Sequence, residues 1–334
     1  MGPYLLKRLF LILPTLMGIT LITFLIIQLA PGNPVSLKLQ QLGGEGIRTE
    51  TVSKEVIEQT KKLYGLDQPL HIQYFRWLKR MATLDFGASY KDHRRVLKKI
   101  GEALPATLIL NIISIFLIYL ISVPLGIYSA VRPRSRLDRV TTLILFILYS
   151  IPSFWIAMML IIYLGGGEYL DLFPIVGLVS DGFDRLSFLG KAGNLAWHLI
   201  LPVTVLTYGG LAFLSRFSRA QLLEVMQQDY IRTARAKGLS ERTVVLKHTL
   251  RNAMIPLITL ASTLLPALIG GSVIVEQIFS IPGMGKLGFE AVLSRDYPTV
   301  MAIATIEALL TLVSLLISDL VYVLVDPRIS FEKN

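Results

Sequence analysis

The sequence predicts an all-α integral membrane protein with six transmembrane helices and an external insertion after the first helix. Hydrophobic residues make up 53% of the chain and charged residues only 17%, whereas soluble domains average about 25% charged residues. Six segments are also nearly free of charge, and each exceeds the roughly 20 residues that an α-helix needs to cross a bilayer core. These segments are Leu9–Leu37, Ala103–Val131, Val140–Gly167, Ala192–Ser215, Asn252–Val275 and Tyr297–Leu324.

Residues 1–30 are predicted to form the first span, with Lys7 and Arg8 just before its apolar run. A cleaved signal peptide carries an apolar core of 7–15 residues, and this run exceeds that length. We therefore interpret the segment as a retained membrane anchor.

Residues 31–104 are predicted to form the external insertion. Ser53 is a candidate N-cap for a helix that Gly65 ends, and the aromatic segment His71–Leu84 follows. Lys91–Leu104 is predicted to be a basic amphipathic helix that leads into the second span. Such a helix could lie on the membrane surface or pack against a partner subunit, and the sequence leaves both possibilities open.

Residues 105–334 hold the other five spans. Prolines recur within the spans and favour kinks, because each removes an internal hydrogen bond. Glycine pairs at 209–210 and 270–271 allow close helix packing or a hinge. The intramembrane prolines are Pro14, Pro124, Pro152, Pro202, Pro256 and Pro266.

Charge in the connections predicts the orientation. Arg216–Arg251 holds eight basic and three acidic residues, whereas Glu168–Lys191 holds two basic and four acidic residues. Basic connections face the cytoplasm, so both termini are predicted to be cytoplasmic. The net charge of +10 is expected to orient the chain and to meet membrane lipid rather than nucleic acid.

Several classes of chemistry find no support in the sequence. It contains no P-loop, no H-E-x-x-H and no G-x-S-x-G, and it has no cysteine. We therefore expect no catalytic residue, no metal site and no cofactor bound by this chain.

Few ionisable side chains lie inside the spans. Glu307 and Asp319 both fall in the sixth segment, and ion-coupled carriers normally hold more buried charges than this. A secondary carrier of small solutes is the alternative function. Polarity alone nominates Asn111, Ser114, Ser262 and Glu307 as residues of a translocation pathway.

The connection 216–252 carries the most specific signal. Tyr230–Lys237 is predicted to be a short helix with Tyr230, Ala234 and Ala236 on one side, where a partner groove can close over small residues. Gly238 ends this helix, and Ser240 is expected to cap the next one. A plain re-entry turn with solvated charges is the other interpretation.

These residues resemble a known family. Asp229–Leu239, followed by Arg251 and Pro256, is similar to the EAA loop of binding-protein-dependent ABC importer permeases, specifically the B-type subunit of the dipeptide/oligopeptide permease family. The acidic residue that heads the loop pattern is Asp229 here, since its two neighbours are neutral. The matching segments elsewhere are Leu29–Pro34, Tyr64–Leu70, Asp85–Gly87, Leu104–Thr107, Glu276–Gly285, Arg295–Pro298 and Asp326–Ile329, while Gly43–Arg48 and Gly165–Ser180 look most like the Yej-type peptide permeases.

The resemblance implies a type I ABC importer (MetI-like) permease fold in the bacterial inner membrane. It also implies a homologous C-type permease as the other half of a heterodimer, two ABC ATPase domains that bind ATP and Mg²⁺, and a peptide-binding protein. In such an importer the ATPase-coupling helix would comprise Asp229, Tyr230, Arg232, Thr233, Ala234, Arg235, Ala236, Lys237, Gly238 and Leu239.

Overall fold

The structure is a computed structural model that describes residues 2–29, 58–59, 62, 65, 67–167, 169–262 and 264–325. Within these ranges the chain is helical, and the one β feature is an isolated bridge between Ala88 and Arg95. The predicted helix between Ser53 and Gly65 lies largely outside the described residues.

The helices are α1 Gly2–Leu29, α2 Leu70–Ala82, α3 Val96–Val131, α4 Arg136–Ser150, α5 Ser153–Leu160, α6 Phe188–Met226, α7 Asp229–Ala236, α8 Glu241–Thr243, α9 Leu250–Ser262, α10 Leu265–Gly270, α11 Val273–Ile278, α12 Met284–Leu293 and α13 Tyr297–Val325. Single π-helical turns extend α5 to Gly165 and join α8 to α9.

The membrane spans confirm the predicted class of protein. Among the described residues, four helices are long and apolar enough to cross a bilayer, and the number becomes six if each of two bent helix pairs is one span. The unbroken candidates are Leu6–Leu29, Val96–Val131, Phe188–Met226 and Tyr297–Val321.

The third and fifth predicted spans are not straight helices. Arg136–Ser150 and Ser153–Gly165 meet at an angle of 97°, and Glu241–Ala261 meets Leu265–Ile278 at 44°. At the first break, Ile151 is extended (φ −92°, ψ 128°) because a following proline disfavours the helical conformation. The second break places Pro266 in the first turn of α10, where its missing N–H is tolerated.

Two helix boundaries differ from those that the sequence indicated. The helix that contains the fourth predicted span runs past residue 215 to Met226, so only Gln227 and Gln228 separate α6 from α7. The predicted basic helix from Lys91 begins only at Val96, because the Val96 N–H bonds to the Gly87 carbonyl and closes a turn instead.

The chain divides into two compact units. The core unit comprises residues 105–286 and 313 onward, and the N-terminal unit comprises residues 2–104 and 287–312. The N-terminal unit also takes in residues 287–312, because Asp296 accepts hydrogen bonds from the Ser89 hydroxyl (2.5 Å) and the Tyr90 N–H (2.8 Å).

Each unit has its own packed interior. In the core unit, α3, α5, α6 and α11 contribute to one hydrophobic cluster centred on Leu110, Leu201 and Phe279. In the N-terminal unit, Phe24 of α1, Tyr74 of α2 and Met301 of α13 pack together. The Tyr74 hydroxyl also donates to the Met17 carbonyl at 3.1 Å, which fixes α2 against α1.

Candidate functional site

The short helix α7 lies in the connection between α6 and α8. It runs from Asp229 to Ala236, with Gln228 in extended conformation before it. Gly238 follows with φ +78° and open space around its α-carbon, so backbone conformation rather than crowding demands glycine there. Ser240 then accepts a hydrogen bond from the Thr243 N–H. The predictions that Gly238 ends the helix and that Ser240 caps the next one are confirmed.

The inner face of α7 differs from the prediction. Ile231 is fully buried and Ala234 is 7% exposed, and both pack against Val244. Tyr230, which was expected beside Ala234, is 44% exposed. Ala234 therefore does not face outward, because the three-residue spacing from Ile231 turns both side chains toward the following helix.

The outer face of α7 is accessible to a partner. Small, basic and aliphatic groups are mixed on it, and the terminal Leu239 is 41% exposed. The exposed residues that form this outer face are Asp229, Tyr230, Arg232, Thr233, Arg235, Ala236, Lys237, Gly238 and Leu239.

Polar contacts hold α7 against α8 and α9, which begin the bent fifth span. The Arg235 guanidinium donates to both carboxylate oxygens of Glu241, at 2.6 and 3.1 Å, and this pairing raises the pKa of Arg235. The Asn252 amide donates to the Tyr230 hydroxyl at 2.7 Å. The pair of Asp229 and Arg232 is longer, 3.5 Å, and well exposed, so it adds little. These contacts link α7 to α8 and α9.

The four nominated pathway residues lie on three helices, α3, α9 and α13. Asn111 of α3 donates to the Ala267 and Leu268 carbonyls at 2.8 and 3.1 Å, and it thereby satisfies backbone groups in α10. Ser114 is buried. Ser262 ends α9, and its side chain lies outside the described part. Glu307 belongs to the N-terminal unit, where it is half-buried.

Glu276 is a buried carboxylate that was named above only as part of a segment resembling the permease family. It is 1% exposed and accepts hydrogen bonds from the Thr107 hydroxyl (2.9 Å) and the Lys286 N–H (2.8 Å). Gly271 and Gly283 border its carboxyl group so closely that a β-carbon at either position would overlap it. The surrounding glycines are the signal that could have predicted this burial.

No group of three or more His, Asp or Glu side chains is placed to hold a metal ion within the described ranges. The described features are instead those of a multi-pass helical membrane protein with a firmly held helix between two spans. This organisation suits a membrane component that exchanges motion with a partner.

Comparison with known proteins identifies the family. Residues 122–331 match the family described as "Binding-protein-dependent transport system inner membrane component", and residues 1–111 match the N-terminal region of such components. The chain belongs to this family, so it is a transporter permease subunit and a multi-pass inner-membrane protein.

Individual relatives align from end to end. The chain is 39% identical to the "Inner membrane ABC transporter permease protein YejB" of Escherichia coli O157:H7, over 99% of this chain and 100% of the relative. It is 40% identical to the "Oligopeptide transport system permease protein AppB" of Bacillus subtilis (strain 168), with the same coverage. It is 35% identical to the "Dipeptide transport system permease protein DppB" of Escherichia coli (strain K12), over 99% of each chain.

Proposed function

We propose that this chain is one of two permease subunits in an ATP-driven, binding-protein-dependent importer of peptides. Full-length similarity to permeases named for oligopeptide and dipeptide transport supports the substrate class. The observation that carries the mechanism is the exposed outer face of α7, whose inner face packs against the bent fifth span.

The proposed complex contains a homologous C-type permease, two ABC ATPase domains and a peptide-binding protein. In this arrangement residues 1–30 anchor the chain, 31–104 form the external insertion and 105–334 form the permease core. Both termini and α7 face the cytoplasm, as the basic connections favour. The subunit is non-catalytic, and ATP and Mg²⁺ are bound by the ATPases.

In the proposed mechanism, closure of the ATPase dimer displaces α7. The residues of the outer face bind the ATPase. Ala234 and Ile231 transmit the motion because they pack on Val244. Because Arg235 and Tyr230 are also tied to Glu241 and Asn252, the displacement continues into α9. The peptide then crosses between the two permeases.

A matched pair of substitutions tests this assignment. Ala236→Glu places a carboxylate on the exposed outer face, so we expect loss of ATPase association and uptake with unchanged thermal stability. Ala234→Glu places the same group against Ile231 and Val244, so we expect lower stability as well. Normal uptake by the assembled Ala236→Glu variant would contradict docking at this face.

Crosslinking gives an independent readout, because the chain contains no cysteine. Ala236→Cys should crosslink to a cysteine in the ATPase, whereas Asp181→Cys, on an exposed turn before α6, should not. ATP-independent uptake by the purified polypeptide would instead support the secondary-carrier alternative.

A further inference from the structure

The N-terminal unit contains a cavity of about 350 Å³ between α1, α2 and the start of α13. Its apolar walls come from Phe24, Trp77 and Met301, with Tyr90 and Tyr297 at the polar side. All of these residues lie within one compact unit. The cavity is distinct from the outer face of α7 and has no part in the mechanism above.

Among the described residues that line the cavity, the charged side chains are basic. Lys62, Arg76 and Arg80 line it, and no aspartate or glutamate is among the described lining residues. Arg76 and Arg80 are four residues apart on α2, so both side chains lie on the same face. Neither has an ion-pair partner within the described ranges. Two unpaired guanidinium groups on one wall form a site for an anion, and their planar donor geometry suits phosphate.

The cavity also lies where two spans end. Gln28 is the penultimate residue of α1 and Tyr297 is the first residue of α13, and both line the cavity. Trp and Tyr concentrate at this level of a membrane because their rings are amphipathic. Below it, Met17 and Leu13 lie on the same stripe of α1 as Phe24, and both are exposed apolar side chains along which acyl chains can lie.

We propose that this cavity binds the phosphate headgroup of an anionic phospholipid. Arg76 and Arg80 hold the phosphate, Trp77 and Tyr297 pack against the glycerol region, and the acyl chains follow the apolar surface of α1. A free phosphate ion would interact with the two arginines but not with the apolar wall. The apolar stripe of α1 that runs from Phe24 to the exposed Met17 and Leu13 favours the lipid.

Native mass spectrometry of the purified transporter complex tests the proposal. The complex is delipidated and titrated with phosphatidylglycerol or phosphatidylcholine, and retained lipid is counted. Arg76→Gln with Arg80→Gln removes two near-surface charges, so the preference for phosphatidylglycerol should fall roughly 30-fold. The matched control is Lys79→Gln, an exposed basic residue of α2 that does not line the cavity, and it should behave as wild type.

A second measurement keeps the test valid if the double variant assembles poorly. With Trp155→Phe and Trp197→Phe, Trp77 is the remaining tryptophan, since the chain has three. Brominated phosphatidylglycerol should quench its fluorescence more strongly than brominated phosphatidylcholine. Arg76→Lys with Arg80→Lys should retain the preference. Equal lipid retention by the double glutamine variant and Lys79→Gln, or binding of inorganic phosphate without any lipid preference, would overturn the proposal.

Discussion

The Glu276 carboxylate joins three segments of the core unit. The Thr107 hydroxyl donates to it and accepts from the Met284 N–H at 2.7 Å. The Lys286 N–H donates to its other oxygen, so the carboxylate satisfies amides in the first turn of α12. Glu276 is therefore a positioning residue for α3, α11 and α12.

Replacing the acid by its amide tests that role. Glu276→Gln puts an NH₂ donor where an N–H or hydroxyl now donates, so the unfolding free energy should fall by about 1–3 kcal/mol. Thermal denaturation of the purified complex measures the change. The control is Glu290→Gln, because Glu290 makes only an exposed pair with Lys91 and should shift stability by less than about 0.5 kcal/mol. Equal effects of the two substitutions would contradict the assigned role.

A second buried network lies in the N-terminal unit. The Lys99 ammonium, 8% exposed, lies 3.0 Å from Asp92 and 3.6 Å from the buried Asp296. Burial raises the pKa of Asp92. Hydrogen bonds from Lys99, the Arg94 N–H and Ser89 lower the pKa by more than burial raises it, so the pKa of Asp92 lies below its ordinary value.

The lowered pKa predicts a pH dependence. Ionised Asp92 stabilises the folded state at neutral pH, and that contribution is lost as the pH falls through the lowered pKa. Asp92→Asn should therefore reduce stability at pH 7, by no more than about 1 kcal/mol because Asp92 is partly exposed. The deficit should shrink toward about pH 3. Denaturation midpoints across this range measure it, and Asp181→Asn, at an exposed turn, is the control. A deficit that does not change with pH would exclude the ion pair as its cause.

At the scale of elements, close helix packing depends on single glycines. In α6, Gly210 lies against Ile118 of α3, and a β-carbon there would meet the Ile118 side chain at 3.0 Å or less. A β-carbon added at the neighbouring Gly209 would meet no atom within 4 Å. Close packing at this pair therefore needs glycine at position 210 and does not need it at position 209.

These adjacent glycines provide a matched comparison. Gly210→Ala should destabilise the protein by about 1–3 kcal/mol because it overpacks a stiff, β-branched neighbour. Gly209→Ala should be neutral or slightly stabilising, since alanine favours the helix. Thermal denaturation of both variants decides between them, and a larger loss for Gly209→Ala would refute the packing assignment.

At the scale of the whole molecule, charge alternates along the connections between spans. Arg134 lies in the turn between α3 and α4, Asp181 lies before α6, and Lys237 follows α7. We expect Arg134 and Lys237 on the cytoplasmic side and Asp181 on the opposite side, because basic connections remain inside.

Labelling of single cysteines measures this topology directly in a chain that has none. An impermeant maleimide should label Asp181→Cys in intact spheroplasts. Arg134→Cys and Lys237→Cys should react only after the membrane is permeabilised. The reverse pattern would invert the proposed orientation and place α7 beyond the reach of a cytoplasmic ATPase.

Local sequence was sufficient to predict much of this protein. Hydrophobicity determines which segments leave water, so the spans and the helical class followed from composition and length. Glycine conformation and capping are also local, which is why Gly238 and Ser240 were correctly assigned as the ends of helices. The break at Pro152 was only partly predicted, since a proline indicates a kink without fixing the 97° angle.

Tertiary structure decided which polar residues are buried and which faces are free. Thr107 and Glu276 are 169 positions apart, and no local pattern shows that one donates to the other. For the same reason the sequence alone placed Ala234 outward, whereas packing on Val244 turns it inward. Composition thus determined that this chain is a helical membrane protein. Long-range contacts determined its buried carboxylates, its arginine-lined cavity and the exposed face of α7, because burial depends on neighbours that are distant in sequence.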